Sequence, residues 1–326
     1  MKAIVYQKYG SPDVLELIEV EKPIPKEDEV LVKVHAAAAN PLDWHFMRGA
    51  PHFIRIMTGL GKPKDKRLGV DVAGQVEAFG RNVNQFKPGD QVFGMCRGAF
   101  AEYASARENA LALKPANISF EEAASAPVAA FTALQGLRDT GKIQSGQKVL
   151  INGASGGVGT YAVQIAKSFG AIVTGVCSTR NLNMVRSIGA EHVIDYAQED
   201  FTKNGQHYDL IYDTVANHSV LDYRRALSLK GMCVTAGFST VFHMLQEMLL
   251  GSLVSRMGSK KIGGMGVAKP NQKDLVIIKE LLESGKVKSV IDRRYPLSEV
   301  PEAIRYLEAG HARGKVVITV ESSSRT

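Results

Sequence analysis

The chain has 326 residues, which fits two domains better than one. Hydrophobic residues make up 45% and charged residues 22%, an ordinary globular balance, and no run reaches the roughly 18 apolar residues of a membrane span. The net charge of +7 is scattered, with Lys62, Lys64, Lys66 and Arg67, then Lys260 and Lys261, then Arg293 and Arg294; without a long basic run or an aromatic RNA-recognition motif, nucleic acid is not an expected partner.

The first 35 residues alternate as strands. Ala3–Tyr6 starts the chain as a strand and not as a leader, Leu15–Val20 follows, and a turn on Pro23, Pro25 and Glu27–Glu29 leads into Val30–His35. Asn40-Pro41-Leu42-Asp43-Trp44 reads as a short helix with Asn40 as N-cap and Pro41 in its first turn. Trp44, the only tryptophan, either packs in the core or faces a substrate together with Asn40. His52–Lys66 reads as a mobile loop. Strands at Gly69–Gly80, Phe86–Phe93 and Gly98–Tyr103, set off by Pro-Gly-Asp chemistry, argue for a β-barrel-like domain. Ser119-Phe120-Glu121-Glu122 carries a capping box. The alanine-rich helix pair over Ala123–Leu137, broken at Pro127, marks the crossing into a second domain.

Val149–Gly159 is an apolar strand running into a glycine-rich turn, followed by a helix over Thr160–Phe169 and a second strand over Ala171–Val176. Glycines let the backbone bend and approach a diphosphate, and the helix behind them presents unpaired N–H groups and a partial positive charge. In G-x-G-x-x-G register the first position is Ala154, followed by Gly156 and Gly159, so Ser155, Gly156, Gly157, Val158 and Gly159 are the candidate diphosphate cradle. An NAD site would carry Asp or Glu at the end of the second strand; here stand Cys177-Ser178-Thr179-Arg180-Asn181. Ser178 and Arg180 suit a 2′-phosphate, so NADPH is expected over NADH. Ser178 or Thr179 can also cap the helix beginning near Asn181.

The α/β alternation continues with a helix over Asn181–Ile188, strands at Val193–Asp195 and Tyr208–Asp213, a helix over Ser219–Leu229 and a strand at Met232–Ala236. Ligands sit at the carboxyl ends of such strands, which puts Tyr196, Asp213–Val215, Gly237 and Phe238 around the cofactor. Thr240–Met257 reads as an apolar helix, open between substrate wall, dimer contact and core. Lys260–Val267 reads as an edge strand and Lys273–Ser284 as a helix. Ser289–Tyr295, Glu299–Ala309 and Lys315–Val320 give strand, helix, strand, expected to return to the first domain, and Glu321–Thr326 is expected to fray.

Together these residues resemble the medium-chain dehydrogenase/reductase superfamily, in its zinc-independent quinone oxidoreductase branch. The matching stretches are Asn40–Trp44, Gly69–Gly74, Phe86–Asp90, Gly98–Tyr103, Pro127–Gly136, Gly153–Gly159, Asp195-Tyr196, Asp213–Val215 and Gly314-Lys315. The resemblance implies an α/β fold in which a doubly wound Rossmann sheet, 127–286, is inserted in a GroES-like β-barrel domain, 1–126 and 287–326. It implies a cleft between them for nicotinamide and substrate, and a homodimer or homotetramer. It further implies Val128 and Thr132 near the nicotinamide, Tyr196 by the adenine, Ser178 and Arg180 on the 2′-phosphate, and Lys315 approaching the cofactor. On the residues alone, Thr132 can bond back within its helix, Tyr196 can be core and Lys315 can be solvated.

Zinc members carry a Cys near position 40 and Gly-His-Glu near position 70, where this chain has Asn40 and Gly69-Val70-Asp71. Cys96, Cys177 and Cys233 lie far apart, so neither a structural zinc lobe nor a disulfide framework is expected, and the natural compartment is the cytoplasm. His35, His45 and His52 are near in sequence but read as ordinary surface or core residues. Without a Lewis acid, reduction of an activated acceptor fits better than alcohol oxidation. The expected reaction is hydride transfer from NADPH to a quinone or an α,β-unsaturated carbonyl. The amide of Asn40 would face the oxygen that gains charge, and Trp44 and Phe238 would position a flat substrate. No proton donor stands out. Reduction of trans-2-enoyl thioesters in the same fold, and a cofactor-binding regulator or RNA-binding protein with little turnover, are the alternative readings.

Overall fold

The computed structural model describes residues 1–237, 246–251, 255 and 258–320. Phe238, most of Thr240–Met257 and the tail Glu321–Thr326 lie outside them. The chain divides into two units: Met1–Val128 with Pro270–Ser284 and the residues from Ser289 onward, and Ala129–Lys269 with Gly285–Lys288.

In the first unit an antiparallel pair, β1 (Lys2–Val5) and β2 (Glu16–Glu19), precedes β3 (Glu29–Ala39), β4 (Asp71–Phe79), β5 (Gln91–Met95), β6 (Tyr103–Arg107) and β7 (Leu111–Leu113). β3 organises this unit because three neighbours share it. Glu29–Lys33 pairs with β6, Ala36–Ala39 pairs with a strand from the far end of the chain, and the other edge pairs with β4. Ala36, Ala37, Ala38 and Ala39 are all buried, so both faces of the strand are covered there. The expected strand at Gly98–Tyr103 is shifted: regular pairing starts at Tyr103, because Phe100 already bonds to Ile4 and Leu68 through its carbonyl and amide. β7 is an element that the sequence reading passes over. Within the expected loop His52–Lys66 lies a short helix, Ile54–Thr58, whose end is tied down by Tyr9 Oη donating to Gly59 O at 2.6 Å.

The second unit is built on β8 (Lys148–Asn152), β9 (Ile172–Cys177), β10 (His192–Asp195), β11 (Tyr208–Asp213), β12 (Leu227–Thr235) and β13 (Lys261–Gly264). All pair in parallel, in the order β10-β9-β8-β11-β12-β13. Strand order reverses between β8 and β11, the crevice where doubly wound sheets take ligands. The strands are apolar on both faces, as covered parallel strands must be. The helix Gly157–Ser168 links β8 to β9 and is buried from Gly159 to Ala166. The helix expected over Ser219–Leu229 spans only Val220–Ala226, because Leu227 already pairs with Tyr208 and starts β12 ahead of a register shift.

The chain then returns to the first unit with β14 (Ile291–Pro296) and β15 (Lys315–Thr319), completing a seven-stranded sheet ordered β14-β15-β3-β4-β5-β7, with β6 on β3. Its core gathers Val30, Val32, Val72, Val92, Phe100, Leu111 and Ile318, together with Val300 and Ile304 from the helix Val300–Glu308. Each such fully buried side chain stabilises by about 1.5–3 kcal/mol. The helix Gln272–Glu283 groups with this unit, whereas the sequence reading gives it to the other. It packs on β7, Gln272 bonds Gln85, and Glu283 O accepts from Asn117 at 3.0 Å.

Candidate functional site

In the second unit the glycine corner is shaped by three different demands. Gly153, and not the register-aligned Ala154, takes the left-handed conformation, with φ +80°. A Cβ there would meet Thr214 Oγ1 at 2.4 Å. Ala154 is instead buried under the sheet, with a Cβ that already stands 3.1 Å from where one on Gly175 would lie. Gly159 seats the helix against the turn, since a Cβ would lie 2.0 Å from Gly153 O. Gly156 is the open position, where a Cβ would touch only Gly153 O at 3.4 Å. Gly156 is also the N-cap of Gly157–Ser168, and no side chain caps that end. The first N–H groups of an α-helix have no partner inside it, so Gly157, Val158 and Gly159 offer donors to an anion. This half-buried, uncapped, side-chain-poor corner fits the diphosphate of a dinucleotide.

The carboxyl ends of the neighbouring strands are tied to this corner. Thr214 Oγ1 donates to Asn152 O at 2.9 Å, joining the ends of β11 and β8. Asp213 is fully buried and accepts from Asn152 Nδ2 (2.9 Å), Tyr223 Oη (2.8 Å) and the N–H groups of Val215 and Ala216 (2.7 Å each). Four donors satisfy the carboxylate, and the loop carrying Val215 is held in shape. The side chains of Ser178 and Thr179 do not cap the helix Leu182–Ser187; Ser178 stands at the start of the single 3-10 turn before it. Ser178 Oγ accepts from Asn181 Nδ2 at 3.1 Å, and Thr179 Oγ1 donates to Asp195 Oδ2 at 2.6 Å. Arg180 is exposed beside them. Tyr196 is not core: it is 65% exposed at the end of β10. Burial, with Asp195 adding to it, pushes the Cys177 thiol up to about 11, so it stays protonated at neutral pH. Thr132 is half-buried, and its carbonyl accepts from Tyr212 Oη at 2.9 Å. Phe238 lies outside the described residues.

The first unit holds a buried polar cluster that strand order assembles. β15, β3 and β4 are neighbours, with Val316 opposite Ala39 and Ala38 opposite Asp71, so Lys315, Asn40 and Asp71 meet at one end of the sheet. Lys315 is 3% exposed and Asp71 fully buried. Lys315 Nζ donates to Asn40 Oδ1 at 2.5 Å and to Asp71 Oδ2 at 3.1 Å. Asn40 Nδ2 donates to Asp71 Oδ2 at 2.9 Å and to Ala38 O at 3.2 Å. Both amide hydrogens offered above to a developing oxyanion are therefore engaged. Asp71 Oδ1 accepts from Val128 N at 2.9 Å, which fixes that residue too. Lys315 is thus paired and dry, not solvated, and among the described residues its third N–H has no acceptor.

Asp43 extends the cluster. Asn40 caps the helix Pro41–Arg48 through its backbone, and its N–H donates to Asp43 Oδ2 at 2.8 Å. Asp43 Oδ1 accepts from Gly69 N at 3.2 Å. Burial pushes the Asp43 carboxyl up to about 7; the Asn40 N–H opposes this, Asp71 adds to it, and Lys315 and the Gly69 N–H oppose it. Trp44 stacks on His45 with ring centroids 3.7 Å apart and packs against the unit's core. Asp71 was missed as a site residue, as was Asn181. The Asn40-x-x-Asp43 spacing at a helix start is the one signal that points to Asp43. Among the described residues no group of three or more His, Cys, Asp or Glu side chains is placed to hold a metal ion.

Residues 26–116 match the family model of the alcohol dehydrogenase GroES-like domain, and residues 188–318 that of zinc-binding dehydrogenases. The 2-methylene-furan-3-one reductase of Solanum lycopersicum is 39% identical, over 98% of this chain and 79% of that protein. The chloroplastic NADPH-dependent alkenal/one oxidoreductase of Arabidopsis thaliana is 36% identical, over 98% and 79% respectively. Among solved structures, the quinone oxidoreductase from Coxiella burnetii superposes with a TM-score of 0.85 at 30% identity, covering 98% of this chain and 99% of that one.

Proposed function

Because the chain belongs to the medium-chain dehydrogenase/reductase superfamily, in its quinone oxidoreductase-like branch, we propose that it reduces a quinone or an α,β-unsaturated carbonyl with NADPH. The observation that carries this reading is the end of β9, where Ser178 and Arg180 stand in place of a carboxylate beside the open glycine corner. When bound, the dinucleotide supplies the hydride. The N–H groups of Gly157, Val158 and Gly159, with Ser155 and Gly156, would hold its diphosphate. Ser178 and Arg180 would hold the 2′-phosphate and Tyr196 the adenine, while Thr132 and Val215 would flank the nicotinamide.

In the first unit Lys315 takes the part first offered to Asn40. A dry cation is a stronger partner for developing negative charge than a neutral amide, and Asn40 and Asp71 hold that ammonium in place. Trp44 is kept as a wall for a flat acceptor. The reading includes a metal-free homodimer or homotetramer in the cytoplasm. Its test is stopped-flow NADPH oxidation over quinones, enals and trans-2-enoyl thioesters, with NADH in parallel and metal assayed in the same sample. Turnover of a quinone or enal with NADPH supports the reading. Turnover confined to enoyl thioesters moves the assignment to that reaction, and no oxidation with any acceptor overturns it.

A further inference from the structure

We propose that Asn181 is a positioning residue for cofactor selection, holding the hydroxyls of Ser155 and Ser178 so that both donate to the phosphates of NADPH. The inference rests on the NADPH reading above. β8 and β9 are adjacent and parallel, with Asn152 opposite Val176, so the loops that follow them lie side by side on one edge. Asn181 stands between those loops and is 5% exposed. Its Nδ2 donates to Ser155 Oγ at 3.0 Å and to Ser178 Oγ at 3.1 Å. Its own backbone N–H donates to Ser178 O at 2.8 Å, which fixes the turn. The side chain does not cap the helix Leu182–Ser187 that it precedes.

The chemistry follows from the polarity of these two bonds. An amide nitrogen only donates, and a hydroxyl has one proton and two acceptor sites. Each serine therefore spends an acceptor site on Asn181 and keeps its proton for another group. Among the described residues neither hydroxyl has an acceptor for that proton. Ser155 lies in the uncapped glycine corner, and Ser178 lies two residues before Arg180. An anion at each place completes both hydroxyls, and one buried amide sets both, so the diphosphate and 2′-phosphate subsites are coupled through Asn181. A carboxylate at this position would reverse the pattern: it would draw both protons inward and add a negative charge.

The test measures binding to the full chain by calorimetry: adenosine 2′,5′-bisphosphate against 5′-AMP for the 2′-phosphate subsite, ADP-ribose for the diphosphate corner, and adenosine as the phosphate-free reference. Asn181→Asp should weaken the bisphosphate and ADP-ribose each by about tenfold or more and leave adenosine within about threefold. Asn181→Ala should weaken both by a smaller factor, and should cost nothing further for the bisphosphate in a Ser155→Ala, Ser178→Ala background. The Ala variants carry the test if Asn181→Asp does not fold. Unchanged binding of both probes by Asn181→Asp would overturn the proposal, because an amide turned the other way, with Oδ1 on the serines, is what a carboxylate would mimic. A uniform loss that includes adenosine would overturn it in favour of a structural role. Should the wild-type chain bind the bisphosphate no better than 5′-AMP, the NADPH reading itself falls, whatever the variants do.

Discussion

Breaking the Lys315–Asp71 pair is the sharpest perturbation that the first unit offers. At 3.1 Å and an effective dielectric near 20, the attraction is about 5 kcal/mol before desolvation is subtracted. Both groups are almost wholly removed from water, with side-chain exposures of 3% and 0%. Asp71→Asn turns an amide NH₂ toward either Val128 N or the two donors on Oδ2, and in both orientations leaves the ammonium without a counter-charge. That should cost about 3–5 kcal/mol, the scale for orphaning one member of a buried pair. Lys315→Met should cost less, about 2–3 kcal/mol, because Asn40 Nδ2 and Val128 N still satisfy the carboxylate. The double variant should be less damaged than the sum by at least about 2 kcal/mol. The chain's single tryptophan makes the assay specific, since Trp44 packs against this unit's core and its fluorescence in urea reports this unit's unfolding. Additivity of the two single losses to within about 0.5 kcal/mol would refute the pairing argument.

Asp43 should give stability an unusual pH dependence. Its folded-state pKa is raised, from 3.8 to about 7, so the folded chain holds a proton that the unfolded chain releases. Its contribution is fully present below pH 3.8 and is lost as pH rises through about 7, a swing of about 4 kcal/mol. The stability difference between wild type and Asp43→Asn, measured from pH 5 to pH 8.5, should shrink over that window; a constant difference would remove the claim. Gly159→Ala should destabilise the second unit by about 1–3 kcal/mol and weaken ADP-ribose binding, because the methyl group meets Gly153 O at 2.0 Å and that oxygen is backbone. Melting of the variant at the wild-type temperature would contradict that reading of the corner. Arg180→Ala should weaken NADPH by about 1–3 kcal/mol and leave NADH nearly unchanged, and equal losses for the two would refute the 2′-phosphate assignment.

How much of this was legible in the chain differs between the two units. The glycine corner could be read because its signal is local: an apolar strand, small residues and a buried helix lie within some twenty positions. Even there, spacing does not report φ, which is why Ala154 could be aligned with a position that Gly153 fills in space. The end of β9 is legible by residue type, but sequence alone marks Asn181 only as a helix start, since its two serine bonds span different loops. The polar cluster was hidden for a stronger reason. Asn40, Asp71 and Lys315 are far apart in sequence and meet only because β15 lies beside β3, an ordering that no period in the sequence encodes. A lone lysine near the end of a chain is ordinarily solvated, so burial of Lys315 had no local signature. β6 starts later than expected for a related reason: Phe100 before it bonds to β1 and Leu68 instead of β3.

The placement of β15 beside β3 also sets an order of assembly during synthesis. The six strands of the nucleotide-type sheet have all left the ribosome once Gly264 has emerged. The other sheet waits for Thr319, because along Ala36–Ala39 its longest strand lacks the neighbour on one of its two edges until then. Translation therefore delivers the middle of the molecule ready to fold while the N-terminal third is held open, with an apolar strand edge that a chaperone, or a neighbouring nascent chain, can reach.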